Sequence, residues 1–360
     1  MFLAIKELMY ARLRYALVAL IMFLLSFLVL FVSGLAQGLA ADNAAGIMNM
    51  ETDSFVVDEE AEYQLTRSLI ENKDQETIEA FSEDAEKLGI HMAQIEDGDD
   101  ALADIAFMSF SEGSVWLPDV IEGNQPTEAG ELVADESLKE EGFEIGSTVI
   151  DSGSNMTFVI TGFSENQRFG HSPILHVSEE DWIEMGRDDA FTVSAYILPT
   201  TSGEEAEDLT SQLESAEVVT HDDVLSGIPG YSAEQGSLTM MIVFLFIISA
   251  FVLAAFFYVI TIQKLTQFGI LKAIGAKSSQ LATAVFLQVI VLSFISVGLG
   301  ISVTLLVGSL LPQGLPFHLD VELIGMLALL FFGVAMIGSL LSIVKVMKID
   351  PLKAIGGGQE

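Results

Sequence analysis

The 360 residues contain no cysteine. Disulfides, thiolate metal sites and cysteine nucleophiles are therefore excluded. Basic residues are few: 15 Lys and Arg stand against 51 Asp and Glu, a formal charge of −36, and no nucleic-acid partner is expected from such a balance. No G-x-x-x-x-G-K-[ST] phosphate loop occurs, so the chain is expected to hydrolyse no ATP by itself. No G-x-S-x-G elbow, internal repeat or low-complexity tract is found either. What the sequence has in excess is apolar side chains: 51% of residues are hydrophobic and the mean hydropathy is +0.51, which points to a membrane protein.

The acidity and the hydropathy occupy different parts of the chain. All but five of the acidic residues, but only six of the basic ones, lie between Asp42 and Glu234. That block reads as a soluble acidic domain within an apolar, basic remainder. Four stretches reach the roughly 20 apolar residues needed to cross a bilayer: Tyr15–Leu39, Leu238–Ile262, Leu281–Leu311 and Val321–Val344. The third is long and glycine-rich, and tilting or a break near Gly298 and Gly300 is expected. The first exceeds the apolar run of a cleaved signal peptide and follows an amphipathic opening, Phe2–Tyr10, so it reads as a retained span. Lys6, Arg12 and Arg14, then Lys264, Lys272 and Lys277, then Lys345, Lys348 and Lys353 all flank the same side of these spans. The positive-inside rule makes that side cytoplasmic, with both termini inside and the acidic domain outside.

The fold class expected is thus a membrane α-helical protein of four transmembrane helices, with a mixed α+β extracellular domain inserted between helices one and two. The parts are 1–41 (opening helix and first span), 42–236 (acidic domain), 237–348 (three spans, with a cytoplasmic loop at 263–280) and 349–360 (tail). In the acidic domain, helical periodicity places Ile78, Phe81, Ala85 and Leu88 on one stripe and predicts a helix over 76–88. Further helical pieces are expected at Asp181–Met185 and Ala206–Leu213. Strands are expected at Val115–Leu117, Glu131–Ala134, Ser147–Ile150, Thr157–Thr161, Ile174–His176 and Ser194–Leu198. His171 and His176, five apart on an expected strand, fall on opposite faces, and neither has a close carboxylate before Glu179. They read as a surface and a strand histidine rather than a zinc pair. Asp97–Asp100 lacks the spacing of a calcium loop.

Between the second and third spans, apolar Phe268, Ile270, Leu271 and Ile274 precede Gly275, a helix stop. Such residues outside the bilayer need cover, either from the ends of the spans or from a partner. A short rigid element between two spans is also what a soluble motor could push. The segment Phe268–Lys277, FGILKAIGAK, resembles the coupling segment of the FtsX/MacB-type ABC permeases. Lys348–Ile355, KIDPLKAI, resembles the closing motif of that superfamily, and Gly130–Thr148, GELVADESLKEEGFEIGST, is similar to its external domain. The order of one span, a large domain and three spans is also its architecture. MFLAIKELMYARLRY, LFVSGLAQGLA, YSAEQGSLTMMIVFLF and AAFFYVITIQK look like the haem-exporter permeases of Gram-positive bacteria, the HrtB type. The resemblance covers the whole chain. It implies two permease copies with two ATPase subunits, no resident cofactor, and haem as the cargo. In that subfamily a tyrosine precedes the His-Ser pair of the external domain. Here Phe169 stands there and cannot ligate iron, while Tyr231 stands where the family has its second tyrosine.

Haem is a flat apolar plate that needs a slot and an axial ligand, for which His, Met or Tyr serve in the absence of Cys. Small residues let a plate or a helix approach closely. Gly34 and Gly38 thin the first span beside Phe31 and Leu35. Met240, Met241 and Phe244 lie on the second, with Met48, Glu51, Tyr231 and Glu234 just outside. This set is the expected haem slot, with Tyr231 or Met240 as the iron ligand and the region around His171 as the fallback. Two other function classes fit the sequence: a mechanotransmission permease that regulates an external partner, or an exporter of a peptide or lipid.

Overall fold

The structure is a computed structural model that describes residues 12–96, 102–111, 113–186, 193–199, 201, 203–311 and 315–347. The opening Phe2–Tyr10, the acidic Asp97–Asp100 and the closing Lys348–Ile355 lie outside the described residues. The chain divides into two compact units: Leu39–Gln235, and residues 1–38 together with 236–360.

Helix α1 spans Arg12–Met48 and continues nine residues past the predicted end of the first span. Its last turns carry Ala44 and Ile47, which are buried in the core of the inserted domain. That domain is built on an 11-stranded mixed sheet. Strands β1 (Ser54–Asp58), β2 (Glu86–Glu96), β3 (Leu102–Phe110), β4 (Val120–Gly123) and β5 (Glu131–Asp135) come first, with helix α2 (Asn72–Phe81) between β1 and β2. Strands β6 (Thr148–Asp151), β7 (Thr157–Ser164), β8 (Arg168–Phe169) and β9 (Ser172–Ser178) follow. Helix α3 (Glu179–Met185), β10 (Ala195–Leu198), α4 (Gly203–Gln212), β11 (Ala216–Thr220) and α5 (His221–Gly227) complete it. The main order is β11-β1-β10-β2-β3-β9-β5-β7-β4. Most pairs are antiparallel, but β3 runs parallel to β9 and β5 parallel to β7.

Several expected elements are present: β5, β6, β7, β9, β10, α3 and α4 overlap their predicted spans. The helix expected over 76–88 is not one element. Helix α2 stops at Phe81, where extended Ser82 (ψ 120) caps it by donating its N–H to Ile78 O, and strand β2 begins at Glu86. Leu88 is therefore a strand residue in a different core cluster from Ile78, and its helical spacing is coincidental. Val115–Leu117 is a turn rather than a strand. Asp74 ties α2 to the approach of β11. Burial alone would raise its carboxyl, but the N–H groups of Glu214 and Ser215 (2.8 and 2.9 Å) and the Ser215 hydroxyl (2.8 Å) hold it below the usual carboxylate range.

The other unit contains α6 (Tyr231–Gln263) from Gly236 onward, α7 (Leu265–Ala273), α8 (Ser278–Gly308) and α9 (Val321–Met347). Helices α1, α6, α8 and α9 are long and apolar enough to cross a membrane. Tyr15, Val18 and Met22 of α1 pack with Leu253, Phe257 and Ile260 of α6, Val289, Leu292 and Val297 of α8, and Phe331 and Ala335 of α9. No break occurs at Gly298 or Gly300, because α8 is continuous through both. At Gly300 a Cβ would come within 2.4 Å of Ser26 Oγ, so this glycine permits close packing on the first span instead.

Candidate functional site

The segment between the second and third spans has two apolar faces with different fates. Helix α6 ends at Gln263, Lys264 breaks the helical path, and α7 ends where Gly275 (φ 104) accepts the left-handed conformation that glycine tolerates best. Phe268, 1% exposed, is buried with Leu281, Val285 and Val346, and Leu271 packs against the same cluster. These two residues anchor α7 on the bundle, so of the two kinds of cover expected, Phe268 and Leu271 take that of the span ends. Ile270 and Ile274 point away and are 49% and 77% exposed. The segment thus presents a short apolar edge on a firmly held base.

Gly34 and Gly38 are not lining an open slot. A Cβ on Gly34 would lie 2.6 Å from the Phe317 ring, and one on Gly38 would lie 2.4 Å from the Pro316 carbonyl oxygen. His318 donates its N–H to Gly34 O at 3.1 Å, and the Phe31 ring sits 5.5 Å from that of Phe317. The chain's own connection between α8 and α9 therefore fills the space those glycines leave beside Phe31. Leu35, on the same turn, is half-buried. Gly38→Ala is expected to cost at least about 1 kcal/mol, since the contact it creates is with backbone that cannot swing aside. Gly298→Ala, which meets nothing within 4 Å, is expected to leave the thermal unfolding temperature of the purified protein unlowered, and to raise it slightly because Ala is the better helix former. On α6, Met240, Phe244, Ile248 and Phe251 recur at helical spacing and form an uncovered apolar stripe, with Met241 beside it.

In the inserted domain, His171 is in a turn between β8 and β9 (φ 66), not on a strand. The chain brings it a carboxylate from 129 residues away: its Nδ1 lies 2.8 Å from Asp42 Oδ2, and its Nε2 lies 3.9 Å from Glu234. Arg168 pairs with the other Asp42 oxygen at 3.1 Å and donates to the His171 carbonyl at 2.6 Å. Asn43 donates to Glu234 at 3.2 Å. This cluster clamps the β8–β9 turn to the end of α1 and the start of α6. His176, by contrast, is 2% exposed on β9, between Met108 of β3 and Val133 of β5, and stacks 5.7 Å from Phe110. Among the described residues neither ring nitrogen has a hydrogen-bond partner, and burial pushes its pKa down to about 3. Among the described residues, no group of three or more His, Cys, Asp or Glu is arranged to hold a metal ion. Tyr231 packs against the domain core. Met48 is partly exposed, and Glu51 lines an open cleft of about 650 Å³ with Met50, Trp116, Asp119 and Glu165.

Residues 239–351, which include α7, match the family described as FtsX-like permease C-terminal. Over 99% of both chains the protein is 35% identical to one of Staphylococcus haemolyticus named hemin transport system permease protein HrtB. The chain is an FtsX-like ABC permease of the HrtB group. A Staphylococcus epidermidis protein of the same name is 34% identical to this permease, again over 99% of each chain. Among solved structures, the periplasmic region of MacB from Actinobacillus actinomycetemcomitans aligns with 49% of the permease and 92% of that chain. The identity is 14% and the TM-score 0.38. The extracellular domain of the ABC-type transporter YknZ from Gram-positive bacteria aligns with 46% and 98%, at 11% identity and a TM-score of 0.34. The permease residues that sequence reading missed are those joined over long separations, above all Asp42 with Arg168 and His171. No local signal marks such pairs.

Proposed function

We propose that this permease is the membrane subunit of an efflux pump that moves haem outward, powered by a separate ATPase subunit. The observation that carries the reading is the whole-chain identity to proteins named for hemin transport. The basic flanks of the four spans place both termini and α7 in the cytoplasm and the acidic domain outside, in the cell membrane of a bacterium. Ile270 and Ile274 then form the edge that the ATPase grips. A second copy of the chain completes a two-plus-two complex. Haem enters from the bilayer along the uncovered stripe of Met240, Phe244 and Phe251, and the negative field of the inserted domain disfavours return of its propionates.

Tyr231 and Met240 are nine residues apart on one helix, two and a half turns, and so face opposite ways. They are alternative iron ligands rather than a pair. A mechanotransmission role is the second reading, favoured by the filling of Gly34 and Gly38 by the chain's own loop. Haemin added to the permease–ATPase complex separates the two. The transport reading expects a shifted Soret band that weakens in Met240→Ala or Tyr231→Ala, and phosphate release that requires the ATPase subunit. An unshifted band in the wild-type complex would leave mechanotransmission as the surviving reading.

A further inference from the structure

Three polar side chains meet inside the apolar bundle close to α7. Tyr15 of α1, Lys264 at the α6–α7 joint and Gln288 of α8 are each 5% exposed. They sit among Phe257, Ile260, Val289 and Leu292. Lys264 Nζ donates to the Tyr15 hydroxyl, and that hydroxyl donates to Gln288 Oε1 at 2.8 Å. A hydroxyl has one proton to give, so accepting from lysine and donating to the amide oxygen fixes the direction of the chain of bonds. The Lys264 nitrogen also lies 4.8 Å from the Tyr15 ring centroid, within cation–π range. The contacts join residues 249 and 273 positions apart, so three separate elements are fastened at one point.

The position of the lysine is the informative part. Lys264 is the single residue between Gln263 and Leu265, with φ −103 and ψ 1, where the path of α6 is interrupted before α7 begins. Its own carbonyl accepts from Phe268 N at 3.0 Å, so it belongs to the base of α7 as well as to the end of α6. Burying a lysine in an apolar bundle is costly, and an apolar residue would pack the same place more favourably. A cavity of about 20 Å³, the size of about one water molecule, borders Lys264, Tyr15 and Gln288.

We propose that Lys264 is the transmission residue of this permease: it converts displacement of α7 into displacement of α1 and α8 through Tyr15 and Gln288. The proposal rests on the reading that an ATPase subunit acts on α7. Pull or push at Ile270 and Ile274 moves a helix held on the bundle by Phe268, and the pivot of that helix is the residue bonded to the first span. Without the Lys264–Tyr15 bond, α7 would still dock and the ATPase would still turn over, but α1, left with the packing of residues such as Val18 and Met22, would follow less far. Tyr15 and Gln288 are positioning residues in this scheme.

The test uses the complex purified from its native membrane through a tag on this chain. The absence of cysteine allows nitroxide labels at Leu28→Cys and Leu306→Cys, both exposed positions on α1 and α8. The label–label distance is measured without nucleotide and with ATP plus vanadate. Lys264→Met and Tyr15→Phe are compared with the unsubstituted chain. Tyr15→Phe removes one oxygen and keeps the ring, so it decides the matter if Lys264→Met does not reach the membrane. Coupling networks of this kind are modulated by amounts equivalent to roughly 2- to 30-fold. The expected result is therefore a nucleotide-dependent distance change reduced about twofold or more, with the ATPase still co-purifying at the usual ratio and hydrolysing ATP. A full distance change in Tyr15→Phe, or loss of the ATPase from it, would overturn the proposal. A wild-type complex that lacks the ATPase or shows no nucleotide-dependent change removes the reading beneath it, and is told apart because it fails before any substitution is made.

Discussion

Ile274→Asp is expected to abolish protection of cells against haemin while the permease still accumulates in the membrane. The side chain is 77% exposed at the end of α7, so the substitution should change folding stability by no more than about 0.5 kcal/mol. Its effect falls on association. An apolar side chain that fills a partner's groove is replaced by a carboxylate that loses water without gaining a partner. A central contact of that type is worth about 3 kcal/mol, which is roughly a hundredfold in affinity. Co-purification of the ATPase subunit measures it directly, and Ile270→Asp should act in the same direction. Phe268→Asp serves as the contrast. Buried against Leu281 and Val285, it should lower the amount of folded permease, whereas Ile274→Asp should not. A complex that survives Ile274→Asp intact would place the ATPase contact elsewhere.

Acidification is expected to destabilise the inserted domain through His176. The ring is buried, its nitrogens have no partners, and its folded pKa is lowered from 6.5 to about 3. Between those values the unfolded chain binds the proton and the folded chain does not, so stability is complete above pH 6.5 and is lost as pH falls toward 3. About 2 kcal/mol should be gone by pH 5. Asp74, with its lowered pKa, acts only below its ordinary value of 3.8 and does not share this window. Glu136 and Glu217 run the other way: burial, with neighbouring carboxylates, raises both, so they take up protons on folding and oppose the loss. His176→Leu should flatten the pH dependence between 6.5 and 5. Both tryptophans of the protein, Trp116 and Trp182, are in this domain. Their fluorescence during denaturant unfolding of the full-length chain therefore reports on it alone. An unchanged slope in His176→Leu would mean that the folded ring binds its proton as readily as the unfolded one, its N–H groups finding hydrogen-bond acceptors in solution.

Features written in contiguous residues could be read directly. Each of the four spans is a local run of about 20 apolar side chains, and Gly275 stops α7 because the left-handed backbone is needed at that one position. Strand β1, Ser54–Asp58, is a short apolar run buried on both sides between β10 and β11, and its pattern has no period to detect. Leu88 follows Ile78, Phe81 and Ala85 at helical intervals, although Ser82 ends the helix between them. The site was legible by residue type but not by arrangement. Glycines at 34 and 38 announce a close approach without saying of what, and the answer, Pro316 and Phe317, is nearly 300 residues away. In the sequence Lys264 is one more basic residue flanking a span; only the fold sets it against Tyr15.

The second span is the least enclosed of the four. Only 17% of its most apolar stretch is buried within the bundle, against 39% for the third span. The first span, meanwhile, is tied down by the Pro316–Leu319 connection seated on Gly34 and Gly38. A helix held so lightly by its own chain takes its position from the material around it. Its tilt should follow the thickness of the surrounding hydrocarbon more closely than that of its neighbours, because mismatch costs a fraction of a kcal/mol per Å and little packing resists it. The turnover of the complex should then differ between bilayers of short and long acyl chains at equal protein content, making lipid composition a control on this permease in addition to ATP.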